Sequence, residues 1–135
     1  MQLDGLDAFL KACGVGWVKR KAAAALIKRQ RHEVRFPEPG RCYIKVQGKM
    51  NGDDEKTLNL GKPTTVVSKD ENGVDTELTL HLRWDESRTR VLNDLETAHG
   101  PMHVERWVEG AQMVVECTHV TSGVKLRRLF DRTGA

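Results

Sequence analysis

From Glu33 to Asp131 the chain is cut by turn signals at short intervals, and this punctuation limits its fold more than any other feature. Pro39-Gly40, Asn51-Gly52, Gly61-Lys62-Pro63, Asn72-Gly73, Asp85 to Ser87, His99-Gly100-Pro101, Glu109-Gly110 and Ser122-Gly123 carry turn chemistry. Glycine and asparagine allow a positive φ, and proline presets a negative one. Between them lie short runs that alternate with period two: Cys42, Ile44 and Val46; Leu58 and Leu60; Thr65 to Val67; Leu78, Leu80, Leu82 and Trp84; Val91 to Leu95. About nine strands joined by tight turns make an antiparallel meander. Left flat, such a meander exposes two edges, so the expected class is mainly β, an up-and-down antiparallel β-barrel. Barrels of roughly eight strands or more have room for one small ligand.

The first thirty residues read differently. Leu3, Leu6, Phe9, Leu10 and Cys13 recur at helical spacing, with Asp4 as the expected N-cap and Asp7 in the first turn. Gly14-Val15-Gly16 ends that helix. A second helix is expected from Trp17 to Gln30, built on Ala22 to Ala25, Leu26 and Ile27, with Lys19, Arg20, Lys21, Lys28 and Arg29 on its flanks. The expected layout is one domain over residues 1–135, with a helix–turn–helix cap over 1–30 and barrel strands over 33–132.

The stretch from Pro101 to Asp131 holds the chemical anomaly. Successive side chains of a strand point to opposite faces. Met102, Val104, Arg106 and Val108 therefore share one face, opposite His103, Glu105 and Trp107. Met113, Val115 and Cys117 form the next set, and Val124, Leu126, Arg128 and Phe130 the third. Twice an arginine stands among apolar residues on the expected inner face. A guanidinium keeps its proton inside a protein, so it must be paired rather than neutralised, and its planar fork fits a carboxylate or phosphate. Either Arg106 and Arg128 converge on an anionic ligand head group, or each pairs with an internal acid, or the face is wrongly assigned and they meet water.

Other classes fare worse. The chain carries 22 basic and 19 acidic residues, a net charge of +3, and no apolar run approaches membrane-spanning length. The N-terminus lacks the pattern of a secretion signal. Cys13, Cys42 and Cys117 are odd in number, which favours thiols in a reducing compartment, and cytoplasmic is the expected location. Nucleic-acid binding is disfavoured because the aromatic residues are dispersed rather than interleaved with Lys and Arg. No metal is expected, since Cys117-x-His119 is the single close Cys/His pair. His32, His81, His99, His103 and His119 are expected on outer faces or turns, and Trp17, Trp84 and Trp107 as packing residues, Trp107 facing outward. No nucleophile–base–acid set can be named and no phosphate loop follows a strand, so neither an enzyme nor a cofactor is expected.

Phe9-Leu10-Lys11-Ala12-Cys13-Gly14-Val15-Gly16-Trp17 resembles the helix–turn–helix of the intracellular lipid-binding proteins, the fatty-acid-binding and cellular retinoid-binding proteins. Val104-Glu105-Arg106-Trp107-Val108-Glu109-Gly110 with Met113-Val114-Val115-Glu116-Cys117 is similar to their penultimate hairpin. Lys125-Leu126-Arg127-Arg128-Leu129-Phe130-Asp131-Arg132 is similar to their last strand. The likeness runs along nearly the whole chain in order. It is most specific at the Gly-Val-Gly turn and the last three strands, and weak between Glu33 and Thr97.

The resemblance implies a barrel around a water-filled cavity, capped by the helices, which carries a hydrophobic acid without catalysis. Arg106 and Arg128 match the two arginines that hold a fatty acid's carboxylate. Phe130 stands where the family has tyrosine, so one hydroxyl donor is missing. Phe130, Leu126, Val104, Val115 and Met113 would line the cavity, and the helices from Asp4 to Gln30 would gate access. Lys19, Arg20, Lys21, Lys28 and Arg29 would meet an anionic membrane surface or a partner. The family's first full strand has only Met1-Gln2-Leu3 to match it, so that strand is expected to be absent or a stub. Either the helices or the Arg35 to Cys42 region would cover the resulting open edge, or a protein partner would add a strand there. The leading expectation is a fatty acid carrier. The alternative is a structural or interaction barrel, a subunit of a larger protein assembly with ligand binding reduced or lost.

Overall fold

The computed structural model describes residues 2–49, 52–69 and 73–132; Met1, and Asn51 and Asn72 of two expected turns, lie outside them. Among the described residues the order is β1 (Gln2–Asp4), α1 (Leu6–Ala12), α2 (Trp17–Ile27), β2 (Arg31–Arg35), β3 (Arg41–Gln47), β4 (Asp54–Asn59), β5 (Thr64–Lys69), β6 (Asp75–Trp84), β7 (Arg90–Thr97), β8 (Gly100–Glu109), β9 (Gln112–His119) and β10 (Val124–Asp131). The nine expected strands are β2 to β10, and the first strand survives as the three residues of β1.

All ladders are antiparallel, in two sheets ordered β1-β10-β9-β8-β7-β6-β5 and β2-β3-β4. The up-and-down meander is therefore as expected, but ladder hydrogen bonds do not close it. At the seam between β4 and β5 the chain crosses towards β6, with the Gly61 amide donating to the Leu82 carbonyl at 2.7 Å. The second seam lies between β1 and β2, where the helices intervene in sequence. Side chains bridge the two sheets instead. Cys42 and Leu58 of the small sheet pack with Leu80, Leu82 and Val91 of the large one. Phe36, just after β2, stacks on Trp84 at the end of β6 with ring centroids 4.9 Å apart.

Helix α1 starts on Gly5, not on Asp4. Asp4 belongs to β1, opposite Arg127, and Gly5 takes a φ of 81° with no side-chain cap. A Cβ at Gly5 would stand 2.3 Å from the Lys125 carbonyl oxygen, so only glycine lets the chain leave the strand this close to β10. Helix α2 stops at Ile27 rather than Gln30, because the Arg29 and Gln30 amides donate to the Leu26 and Ile27 carbonyls in a tightened final turn. Gly14, with a φ of 78°, brings the turn between the helices against the His99 ring. Arg20 fastens α2 to α1, donating to Asp7 Oδ1 and to the Val15 carbonyl, each at 2.9 Å. Below them Phe9 and Ile27 form one core with Val104, Val115, Cys117, Leu126 and Phe130, and Leu6, Leu10 and Cys13 pack against it.

Candidate functional site

Cross-strand register places the two inward arginines on one row. Arg106 of β8 faces Val91 on one side and Val115 on the other. Arg128 of β10 faces Val115 and, across β1, Leu3. Their backbones are two strand spacings apart, about 10 Å, a gap that two long side chains can close over a single anion. The adjoining row is Val104, Cys117 and Leu126, and on the other side lie Met113 and Phe130.

Arg106 is half-buried, and the surrounding protein desolvates its guanidinium. Among the described residues no carboxylate pairs with Arg106 or Arg128, and the buried Nε of each has no hydrogen-bond partner. Burial pushes the Arg106 pKa down; the Cys117 and Cys42 sulfurs offset this in part, and the Arg128 charge adds to it. Since a guanidinium does not surrender its proton, this depression is an unmet demand for negative charge.

Two residues outside the expected set complete the cluster. Gln30, between α2 and β2, accepts a hydrogen bond from Arg128 Nη1 through Oε1 at 3.0 Å. His32, on the inward face of β2, has Nε2 3.4 Å from the same oxygen. Its ring lies against Phe130 with centroids 4.3 Å apart and planes tilted by 32°. Burial, then the charges of Arg128, Arg106 and Lys49, hold the His32 pKa down at about 3, so the ring is neutral at physiological pH. Its Nδ1 is buried without a partner.

Two open clefts along the seam between β10 and β2 reach His32 and Phe130, and neither is lined by Arg106 or Arg128. One, of about 390 Å³, runs past Val34, Val108 and Met113; the other, of about 430 Å³, runs past Lys28, Arg29 and Arg31. His32, Phe130 and Asp131 line both. Val108, grouped by alternation with the inner face, is 72% exposed, because the strand runs out at the Glu109-Gly110 turn and leaves it on the cleft rim.

The structure brings Arg106, Arg128, Phe130, Val115 and Met113 together on the inner wall, with Val104 and Leu126 one row deeper beneath the helices. Lys19, Arg20, Lys21, Lys28 and Arg29 do not form one group. Lys28 and Arg29 are exposed at the cleft, Lys21 lies 5.7 Å from the Trp17 ring, and Arg20 turns inward to Asp7. Trp17 is not a packing residue: it is 63% exposed. Trp107 faces outward as expected, but Arg90 covers it at 4.0 Å and its Nε1 donates to Glu109. The histidines depart from expectation twice, since His32 is inside and His119 is buried between Ser122 Oγ and the His99 carbonyl. The signal for His32 was present: it alternates with exposed Arg31 and Glu33 and shares a face with Val34.

No family model matches the chain, and no curated protein matches it. Solved structures do. A tyrosine-to-phenylalanine mutant of the REP1-NXSQ fatty acid transporter superimposes with a TM-score of 0.79 at 19% identity, covering 98% of this chain and 92% of that one. A Schistosoma mansoni fatty acid binding protein in complex with arachidonic acid gives 0.75 at 15% identity, covering 99% and 91%. Human cRBP IV gives 0.74 at 15% identity, covering 98% and 92%. An antiparallel meander with two helices between β1 and β2 and two arginines on its inward face is therefore built on the fold of the fatty-acid-binding and retinoid-binding proteins.

Proposed function

We propose that this protein is a non-catalytic carrier of a hydrophobic acid, a long-chain fatty acid being the simplest, acting as one barrel domain. The head group lies between Arg106 and Arg128. The single observation behind this reading is that two permanent cations share an inner row and, among the described residues, neither has a carboxylate partner. An uncompensated buried charge costs several kcal/mol, and an anionic ligand supplies the missing partner. Met113 and Phe130, which line a seam cleft, offer an apolar wall for the chain of the ligand, while Val104, Val115 and Leu126 are packed in one core with Phe9 and Ile27.

Exposed Trp17 and Val18 beside Lys21 give α2 an apolar and basic outer face suited to collision with an anionic membrane surface. Three cysteines outside any disulfide suit a reducing compartment such as the cytoplasm. No described helix is long and apolar enough to cross a membrane. Mass spectrometry of organic extracts from the natively purified protein tests the carrier reading. Stoichiometric acidic lipid is the expected result, and its absence together with failure to bind added oleate would overturn it.

A second reading, a barrel that docks a protein strand as part of an assembly, draws on the edge of β2, which pairs only with β3 among the described residues. A monomer on size exclusion that carries lipid would rule it out.

A further inference from the structure

We infer that His32 reads the head group of the ligand, and that the preferred acid carries a hydrogen-bond donor, an O–H or N–H, close to its anionic group. This rests on the carrier reading and adds to it which acid is favoured.

Arg128 has only N–H donors, so the side-chain atom it meets at 3.0 Å must be the Gln30 oxygen. That same oxygen faces His32 Nε2 at 3.4 Å. An oxygen that already accepts from Arg128 meets an imidazole nitrogen favourably only if that nitrogen carries the hydrogen. In a neutral imidazole one nitrogen donates and the other accepts, and the bond made by one decides the role of the other. Nδ1 is thereby left as an acceptor, and it is buried without a donor.

A plain carboxylate cannot satisfy it, because an ionised carboxylate only accepts. Phe130, 4.3 Å from the ring, brings no hydroxyl either. The cluster thus presents charged donors from Arg106 and Arg128 and a lone acceptor from His32. Its complement is an acid with a hydroxyl or amide N–H near the charge, such as a 2-hydroxy fatty acid or an N-acyl glycine. His32 lines both seam clefts, and its Nδ1 is buried beside them.

The test is a set of titrations of the delipidated full chain with palmitate, 2-hydroxypalmitate and N-palmitoylglycine, on the wild type and on His32→Phe. The wild type is expected to bind at least one donor-bearing acid about tenfold more tightly than palmitate, the effect of one buried hydrogen bond. The two donor-bearing arms separate a hydroxyl from an amide. In His32→Phe the ratio of donor-bearing-acid affinity to palmitate affinity falls to about one, whatever the change in palmitate affinity itself. Equal wild-type affinity for all three acids overturns the inference, as does a preference that survives in the variant. If palmitate binds and Arg106→Ala weakens it while no donor preference exists, the inference falls and the carrier reading stands. If no acid binds the wild type, both fall. Should His32→Phe fail to fold, the wild-type comparison alone decides.

Discussion

Arg106 and Arg128 are cross-strand partners of the same residue, Val115, one from each side of β9. Two like charges separated by one strand, on the inward face of a sheet and with no carboxylate partner among the described residues, oppose folding rather than assist it. Under the carrier proposal an anionic ligand offsets that cost.

That conflict predicts a stability gain when the charge is removed. Arg106→Met should stabilise the ligand-free protein by about 1–4 kcal/mol in urea unfolding, because an apolar side chain of similar length needs no counter-charge. Arg128→Met should gain less, since it also deletes the hydrogen bond to Gln30. A loss of stability in Arg106→Met would mean that the guanidinium already has its partner.

Gly5 is the hinge between β1 and α1. Gly5→Ala meets both a φ of 81° and a backbone oxygen 2.3 Å from the new Cβ. The expected cost is about 2–4 kcal/mol, above that of an ordinary surface change. Thermal unfolding of the variant measures it, and a cost below about 0.5 kcal/mol would contradict this packing.

The His32 ring adds a pH dependence with a definite sign. Its folded pKa of about 3 lies below the ordinary 6.5, so between these values the unfolded chain binds a proton that the folded chain refuses. Stability should therefore fall as pH drops from 6.5 towards 3, with a slope from this group of at most about 1.4 kcal/mol per pH unit. His32→Phe removes that component. Denaturant curves from pH 7 to 4 on both proteins check it, and identical slopes would place His32 in water.

At the helical cap, Trp17 and Val18 are exposed beside Lys21. Vesicles containing phosphatidylserine should shift tryptophan emission to the blue, and vesicles of phosphatidylcholine alone should not. Trp17→Ala and Lys21→Glu should each weaken the response, the charge reversal by about tenfold or more at low salt. No difference between the two vesicle types would remove the membrane contact.

Much of this was legible from local chemistry. Period-two alternation placed Val104, Arg106, Val115, Leu126, Arg128 and Phe130 on one face, as the register of β8, β9 and β10 has it. Strand β10 shows the exposed opposite side with Lys125, Arg127 and Asp131, whereas no residue of β9 is exposed and outward Val114 is fully buried. Alternation failed at Val108, where the strand reaches the rim and an inward direction no longer implies burial. Alternation with Arg31 and Glu33 marks His32 as inward, but the clustering of the His32 and Gln30 side chains with Arg128 was hidden for another reason. Their role comes from tertiary contact, with 98 residues separating Gln30 from Arg128, and no local pattern marks such a pair. The cap at Gly5 was equally out of reach, since the need for glycine arises from the Lys125 carbonyl across the sheet.

The most direct measurement is a titration of the delipidated protein with a fluorescent fatty acid, cis-parinarate, comparing wild type with Arg106→Ala and Arg128→Ala. The carrier account predicts saturable one-to-one binding by the wild type and a loss of about tenfold or more in each variant, the worth of a charge-assisted hydrogen bond to a buried carboxylate. Unchanged affinity in both variants would contradict it.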